Sequence, residues 1–348
     1  MFSPEPTPCR LELRPYRLRF RAPWPGLKAS HRRGWLLHLH CGSHHGWGEC
    51  APLPAAGTES PRTASRRLAE ACARRWNPLT LARHARRLAR RAPAAACALE
   101  TALLDLESRR RRLPLRRLLE PRAMDRFPVN AMAGHACDPR AGAAARQGFR
   151  VIKLKVGRGD LEEELGCLRA CCARLPAGVR LRLDANRAWS LEETRRFLEG
   201  LEELPVESLE EPLRHPEIDA LRRLQESTPV ALALDESVAV LGPARVLASA
   251  PVKRLVLKPM VQGGPGRTLE LARRSLRAGM TPVITSSLES AVGLHAACQL
   301  AAALAAVRPE TAHGLATGAW LADDPHRAPR IERGSLHLND LPGLGVNP

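Results

Sequence analysis

The chain has 348 residues, of which 44% are hydrophobic, 26% charged and 3% aromatic, and its formal net charge is +18. This composition is typical of a folded globular protein and excludes a largely disordered chain, a collagen-like repeat or a coiled coil as the main state. The longest apolar stretch, residues 296–307, contains Gln299 and is too short to span a bilayer. The length predicts one or two domains, and the composition excludes a membrane protein.

The predicted elements divide the chain into three parts. Residues 1–124 combine two antiparallel strand regions with several short helices, which predicts an α+β capping domain. Residues 125–320 alternate β-type runs with helical segments, one of them opened by the capping box of Ser190 and Glu193. Eight such runs, the last and least clear being ETAHGLATG at 310–318, predict a modified TIM barrel of the (β/α)7β type. Residues 321–348 are expected to return to the cap.

The amino terminus and the cysteines bear on the location of the protein. The first ten residues have neither a basic start nor an apolar run, so they predict a cytoplasmic protein without a secretory signal. The ten cysteines are accordingly expected to be reduced thiols, and Cys167, Cys171 and Cys172 to be packing residues of one helix.

Four histidines, His38, His40, His44 and His45, lie beside Cys41 and resemble a soft-metal group. They fall in a predicted strand and turn of the cap, so a metal site is not the expected interpretation of these histidines.

The excess of positive charge raises the question of nucleic-acid binding. Arginines occur throughout the chain, and the densest group, residues 109–117, has no interleaved aromatic side chains. Stacking platforms for bases are scarce because so few residues are aromatic. A nucleic acid is therefore not an expected partner, and a basic nucleic-acid-binding protein is kept only as a rival of a different class.

Lysine is rare in this chain, since only five of the 54 basic residues are lysines. Arginine evidently serves wherever a solvated positive charge suffices. Lysine can lose its proton near neutral pH when its surroundings favour the neutral amine, and arginine cannot. The remaining lysines Lys153, Lys155 and Lys258, which end predicted strands, are therefore candidates for proton transfer.

Polar residues recur at the ends of successive predicted strands, 23 to 29 residues apart, and they are Lys155, Asp184, Glu210, Asp235, Lys258 and Ser286. This interval is one strand–helix unit, and all parallel strands of a barrel end at the same face, where barrel enzymes place their chemistry. Lys153 and Lys155 are two residues apart in one strand and so point the same way. The pattern predicts one site at the mouth of the barrel.

Asp184, Glu210 and Asp235 follow consecutive predicted strands and would repel one another without a cation. An all-oxygen donor set suits a hard metal ion, and Mg²⁺ is the ion expected here. Any one of these acids alone would more often be a helix N-cap after a strand, but three in succession favour a metal site.

These residues carry a resemblance to the enolase superfamily and, within it, to the o-succinylbenzoate synthase family. KLKVG at 153–157 resembles the family's Lys-x-Lys motif, and LRLDANRAW, LEEP and DES resemble its three metal-ligand motifs. VLKP at 256–259 resembles the segment of the second lysine, ITSSLES at 284–290 the seventh strand, and GWGECAPLP at 46–54 the cap motif. The resemblance covers nearly the whole chain, in the same order.

The resemblance implies a set of roles. Asp184, Glu210 and Asp235 would bind Mg²⁺, with Mn²⁺ as a possible substitute, and Lys155 and Lys258 would stand on opposite faces of a small-molecule carboxylate substrate. Lys153 would contact the substrate carboxylate and help Lys155 to lose its proton. The residues in matching motifs that would order the pocket are Asn186, Arg187, Ser286 and Ser287.

The implied reaction is dehydration of 2-succinyl-6-hydroxy-2,4-cyclohexadiene-1-carboxylate to 2-succinylbenzoate in menaquinone biosynthesis, through an enediolate intermediate. The nearest alternative is a racemase or epimerase of N-acylamino acids or dipeptides, because two opposed lysines and a metal ion also serve a two-base route. The sequence leaves the oligomeric state open.

Overall fold

The computed structural model describes residues 8–22 and 29–347, and Lys28 lies outside the described residues. The strands are β1 (Cys9–Arg19), β2 (His31–Cys41), β3 (His44–Cys50), β4 (Arg126–Pro128), β5 (Ala131–His135), β6 (Val151–Lys155), β7 (Arg180–Asp184), β8 (Val206–Glu210), β9 (Ala231–Leu234), β10 (Arg254–Leu257), β11 (Thr281–Ile284), β12 (Arg330–Glu332) and β13 (Ser335–His337). The helices are α1 (Pro61–Cys72), α2 (Pro78–Leu88), α3 (Pro93–Arg110), α4 (Leu115–Leu119), α5 (Arg140–Arg146), α6 (Leu161–Cys172), α7 (Leu191–Glu199), α8 (Ile218–Glu226), α9 (Ser237–Leu241), α10 (Pro243–Ser249), α11 (Pro259–Gln262), α12 (Pro265–Arg277) and α13 (Ala291–Ala305).

The amino-terminal part is an antiparallel sheet, β1–β2–β3, packed on α3. Side chains alternate along a strand, so Leu37 and Leu39 of β2 share one face, and both are buried in a cluster with residues of α3. Gly46 and Gly48 of β3 face α3. A Cβ at either position would collide with the backbone of α3, at Ala102 and Ala98 respectively. The two glycines let the helix lie directly against the strand.

The central part is a parallel sheet in the order β11–β10–β9–β8–β7–β6–β5, with helices between successive strands. Alternate residues of its strands, such as Ile152, Leu154, Leu181 and Leu183, are apolar and buried, as expected where helices cover a parallel sheet. Helix α7 begins with the expected capping box, in which Ser190 and Glu193 each satisfy a backbone N–H of the other. The sheet places the carboxyl ends of all these strands at one edge.

The eighth β-type run forms no regular strand among the described residues. His313 and Gly314 instead make isolated parallel bridges, the first to Val129 and the second to Thr285. Gly314 donates to the carbonyl of Ile284 at 2.8 Å, and the carbonyl of His313 accepts from Asn130 N at 2.9 Å. This short segment therefore contacts both edges of the parallel sheet, just before edge strand β5 and just after edge strand β11.

The carboxyl-terminal segment contacts several other parts of the chain. Strands β12 and β13 form a small antiparallel sheet with β4. Farther on, Leu344 N donates to Asp105 of α3 at 2.7 Å, and the fully buried guanidinium of Arg116 in α4 donates to the carbonyl of Asn339 at 2.8 Å. These bonds join the segment to the helices that precede the parallel sheet.

The cysteines differ from the sequence-based expectation. Two disulfides are present, Cys9–Cys41 between β1 and β2 and Cys137–Cys167 between the loop after β5 and helix α6. The expectation of ten reduced thiols was therefore wrong, and Cys167 is not a packing thiol. Sequence spacing does not reveal which cysteines meet, because the partners lie on different elements. No described helix has the length and apolarity needed to cross a membrane.

Candidate active site

The candidate site begins with three in-register strand ends. Lys155 pairs with Asp184 across β6 and β7, and Asp184 pairs with Glu210 across β7 and β8. Lys153 lies two residues before Lys155, so both side chains leave the same face of β6. Parallel pairing alone thus brings two amino groups and two carboxylates together at the end of the sheet.

Short ion pairs connect these groups. Lys153 Nζ lies 2.8 Å from Asp184 Oδ2 and donates to Glu210 Oε2 at 2.6 Å. Lys155 Nζ donates to Asp184 Oδ2 at 2.7 Å and to Asn186 Oδ1 at 2.6 Å. Asp184 is therefore shared by two ammonium groups, and Asn186 helps to fix the direction of Lys155.

Lys258 approaches the same space from a distant strand of the sheet. It directly follows β10, which β7, β8 and β9 separate from β6. Its Nζ forms an ion pair with Asp235, which follows β9, and lies 3.3 Å from Glu236 Oε1. The backbone N–H groups of Asp235 and Ser237 donate to Glu211 at 2.6 and 2.9 Å, so Glu211 holds this loop in place.

A cavity of about 450 Å³ joins the two sides. Its lining includes Lys153, Lys155, Asp184, Asp235 and Lys258, so the two lysine-bearing strands face a common space. Leu53, Ala55 and Ala56, which follow β3, contribute an apolar part of the wall. The volume suits a small molecule, and the polar groups converge on it from several strands.

Electrostatics follow from the ion pairs. Burial raises the pKa of Asp184, but the ammonium groups of Lys153 and Lys155 outweigh burial and hold that pKa below its ordinary value. Burial lowers the pKa of Lys258, but the carboxylates of Asp235 and Glu236 outweigh burial and raise it. The pKa of Lys153 is raised in the same way. Burial lowers it, but the carboxylates of Asp184 and Glu210 outweigh burial. Lys153 and Lys258 are thus held as cations.

The donor set of Asp184, Glu210 and Asp235 fits a divalent metal ion. Asp184 and Glu210 are buried, with 2% and 6% of their surface exposed, and Asp235 is nearly so. All three offer carboxylate oxygens, the ligands that Mg²⁺ and Mn²⁺ prefer. The ammonium groups of three lysines form ion pairs with these acids.

The remaining predicted residues divide into two groups. Ser286 and Ser287 line the cavity; Ser286 Oγ lies 2.7 Å from Thr317 Oγ1, and Ser287 Oγ has no hydrogen-bond partner among the described residues. Asn186 lines the cavity as well. Arg187 does not, because its guanidinium donates to the carbonyl of Arg214 at 3.1 Å. The structure thus leaves Arg187 outside the assembled site.

Sequence reasoning missed a polar layer beneath the site. Arg182 is buried two residues before Asp184, donates to Glu207 at 2.7 Å and lines an inner cavity of about 50 Å³ together with Glu210 and Arg254. The sequence did contain a signal for Arg182. It lies two residues before Asp184 in the same strand and therefore faces the same side of the sheet. Glu236 was also missed, although it directly follows the predicted ligand Asp235.

Comparison with known proteins agrees with the geometry. Residues 138–348 match the family model described as "Enolase C-terminal domain-like", and residues 26–106 match "MenC, N-terminal domain". A solved structure of muconate lactonizing enzyme from Pseudomonas fluorescens superposes with a TM-score of 0.87 over 99% of this chain and 97% of its own, at 23% identity. Fold and site thus define a member of the enolase superfamily.

Curated relatives narrow the family. An o-succinylbenzoate synthase from Enterobacter sp. strain 638 is 31% identical over 290 residues, which is 82% of this chain and 83% of the relative. An L-Lys-D/L-Arg epimerase from Methylococcus capsulatus is 32% identical over 285 residues, 77% of this chain and 76% of the relative. With its matching amino-terminal domain, the chain belongs to the o-succinylbenzoate synthase family.

Proposed function

We propose that this chain dehydrates 2-succinyl-6-hydroxy-2,4-cyclohexadiene-1-carboxylate to 2-succinylbenzoate, a step of menaquinone biosynthesis. One observation carries the assignment of roles: Lys155 and Lys258 reach one cavity from strands β6 and β10, with Asp184 and Asp235 in the same lining. Membership of the o-succinylbenzoate synthase family supports the choice of reaction.

Asp184, Glu210 and Asp235 would hold Mg²⁺, with Mn²⁺ as a substitute. When bound, the ion would supply positive charge that stabilises the second negative charge developing on the substrate carboxylate. Lys153, which contacts both Asp184 and Glu210, would remain a cation beside that carboxylate and bind it. The recognition of an acidic substrate thus rests on this chain's own lysine as well.

Lys155 would move the proton. Its neutral amine removes the proton from the ring carbon that bears the carboxylate, and the resulting ammonium returns that proton to the hydroxyl that leaves as water. One C–H and one C–O bond break, and the ring gains the double bond that makes it aromatic. Asn186 and Asp184 orient Nζ of Lys155 for both transfers through their 2.6 and 2.7 Å hydrogen bonds.

Lys258 would act as a fixed cation on the opposite face of the ring. It contacts both Asp235 and Glu236, and this pair of carboxylates favours the charged ammonium. A cation over the ring stabilises the electron-rich intermediate without taking part in proton transfer. Ser286 and Ser287 line the same cavity and would contact the substrate.

The decisive assay follows the absorbance of the aromatic product formed from the cyclohexadiene substrate in the presence of Mg²⁺. We expect activity in the wild type, loss of activity in Lys155→Ala and full activity in the control Lys253→Ala, which removes an exposed lysine just before β10. Absence of product from folded wild-type protein supplied with Mg²⁺ would contradict the proposed reaction.

The metal site has a test that does not depend on turnover. Mg²⁺ that binds only the folded protein stabilises it, by about 2.7 kcal/mol at a concentration 100 times the dissociation constant. We expect Mg²⁺ to raise the melting temperature of the wild type, and Asp235→Asn to lose most of the rise. Equal shifts in the two proteins would place the ion elsewhere.

The second candidate is epimerisation of N-acylamino acids or dipeptides. Two lysines facing one cavity are compatible with a two-base route, and the relative from Methylococcus capsulatus is an L-Lys-D/L-Arg epimerase. Exchange of the α-hydrogen of an N-acylamino acid or dipeptide for deuterium, faster than dehydration of the cyclohexadiene, would favour this reaction.

We also retain three broader proposals. His313 and Gly314 would act as the eighth strand of a closed (β/α)7β barrel, since they contact both edges of the parallel sheet. Residues 1–124, 125–320 and 321–348 would be the cap, the barrel and the returning segment. A cytoplasmic location is the third proposal, although the two disulfides are of a kind more typical of oxidising compartments.

A further inference from the structure

A cluster of metal-binding side chains lies in the cap, on the three-stranded sheet. Glu12 of β1 pairs directly with His38 of β2, and His40 follows two residues later on the same face. Leu37 and Leu39 occupy the opposite face, which packs on α3. The cluster therefore belongs to the face of the sheet that α3 leaves free.

The distances are close to those of a metal site. One ligand atom each from Glu12, His38 and His40 can be chosen so that all three lie within 4.8 Å of one another. His40 Nε2 lies 3.6 Å from Glu12 Oε2. Two ligands about 2.0 to 2.2 Å from a tetrahedral Zn²⁺ lie roughly 3.3 to 3.5 Å apart, so small side-chain movements close the site.

Three histidine nitrogens of the cluster lack a hydrogen-bond partner among the described residues. Both ring nitrogens of His38 and Nε2 of His40 are shielded from solvent and make no hydrogen bond within the described part of the chain. The ring of His38 stacks on Trp47, with centroids 3.8 Å apart and planes 6° from parallel, so the indole restricts its orientation. Buried polar atoms normally have a partner, and an ion would supply one here.

Neighbouring side chains direct the ligand atoms of the cluster. Arg10 donates to Glu12 Oε1 at 2.5 Å, which leaves Oε2 directed at His40. The ring of His45 lies 5.4 Å from that of His38, near enough to supply a fourth ligand after a side-chain rotation.

We propose that Glu12, His38 and His40 form a second metal site, for a divalent transition metal ion of the Zn²⁺ and Co²⁺ class. Two nitrogens and one carboxylate oxygen form a donor set that zinc accepts and that Mg²⁺ does not favour, so the site differs in kind from the three carboxylates at the strand ends. The ion would join β1 to β2 within the cap.

The structure thereby revises the histidine group noted in the sequence. Cys41 is not a ligand because it is bonded to Cys9. His44 is exposed and outside the cluster. Glu12 was missed because it lies more than twenty residues before the histidines, and only strand pairing brings it to them.

The test uses the untagged full chain in excess Mg²⁺, which occupies the strand-end carboxylates. Co²⁺ is titrated and its d–d absorbance recorded, and Zn²⁺ is measured by elemental analysis after dialysis. We expect one Zn²⁺ per chain and a nitrogen-ligated Co²⁺ spectrum. Because His38→Ala and His40→Ala each remove a direct ligand, each should weaken binding by more than the about 10- to 100-fold typical of losing an outer hydrogen-bond partner.

The matched control is His215→Ala, which removes an exposed histidine outside the cluster and should bind like the wild type. Mg²⁺-dependent turnover reports whether each variant is folded. If an alanine variant does not fold, the near-isosteric Glu12→Gln decides, with weakened binding expected. Binding unchanged in folded cluster variants, or no Zn²⁺ retained by the wild type, would overturn the proposal.

Discussion

A buried pair of carboxyl groups, Glu49 and Glu289, lies where β3 meets the loop after β11, and we expect it to make stability depend on pH. Glu49 accepts hydrogen bonds from Ser290 N at 2.8 Å and from Gly293 N at 2.7 Å. Glu289, only 4% exposed, accepts from Ser287 N at 2.8 Å. Burial, and then the nearby Glu49, raise the pKa of Glu289 from 4.5 to about 7.

The direction of the effect follows from linkage. The folded protein holds the proton of Glu289 more tightly than the unfolded chain, so this stabilisation is complete below pH 4.5 and is lost as pH rises through about 7. A shift of that size corresponds to about 3 kcal/mol at 1.36 kcal/mol per pH unit. Glu289→Gln keeps an acceptor for Ser287 and cannot ionise, so it should lack this loss.

Urea unfolding at pH 5 and pH 8 measures the difference. Between these two values the unfolding free energy of Glu289→Gln should rise relative to that of the wild type by about 2 to 3 kcal/mol. Glu226→Gln, which changes an exposed glutamate at the end of α8, is the matched control and should follow the wild type. Parallel behaviour of the wild type and Glu289→Gln would refute the reasoning.

Two further predictions concern the lysines and a disulfide. Lys155→Arg should lower kcat by about 10²- to 10⁴-fold, the usual contribution of a positioned base. Lys258→Arg keeps a cation and should retain more activity. Equal losses of kcat in the two variants, measured beside the control Lys253→Arg, would contradict the division of roles. Cys137→Ser opens a disulfide of sequence separation 30 and should lower the unfolding free energy by about 3 to 4 kcal/mol under oxidising conditions, with no difference from wild type in reductant. A difference that persists in reductant would assign the effect to packing.

The order of the active-site residues could be predicted because it depends on local periodicity. Asp184, Glu210 and Lys258 each stand at or directly after the end of a strand, and a parallel sheet places such ends together. The placement of Arg187 could not be predicted in this way. It has a positive φ of 63° and bonds the carbonyl of Arg214, and the direction of a side chain in such a turn does not follow from strand alternation.

The eighth strand shows the limit of a periodic pattern. Residues 310–318 have β-type composition, but within the described part of the chain they form just two isolated bridges, from His313 to Val129 and from Gly314 to Thr285. The side chain of His313 also accepts a backbone hydrogen bond, from Ile284 N to Nδ1 at 3.0 Å. Such hydrogen bonds depend on which residues the folded sheet brings alongside His313. The composition of the segment does not predict those neighbours.

By itself, the sequence determined the residues that carry the proposed chemistry, because strand ends and their spacing are properties of the chain in one dimension. Only the tertiary structure decided which distant groups meet. It paired Cys137 with Cys167, placed Glu12 beside His38 and His40, and set Glu49 against Glu289. The physical reason is that these contacts join separate elements. Their geometry depends on how whole helices and sheets pack, and the sequence of one local segment has little influence on that packing.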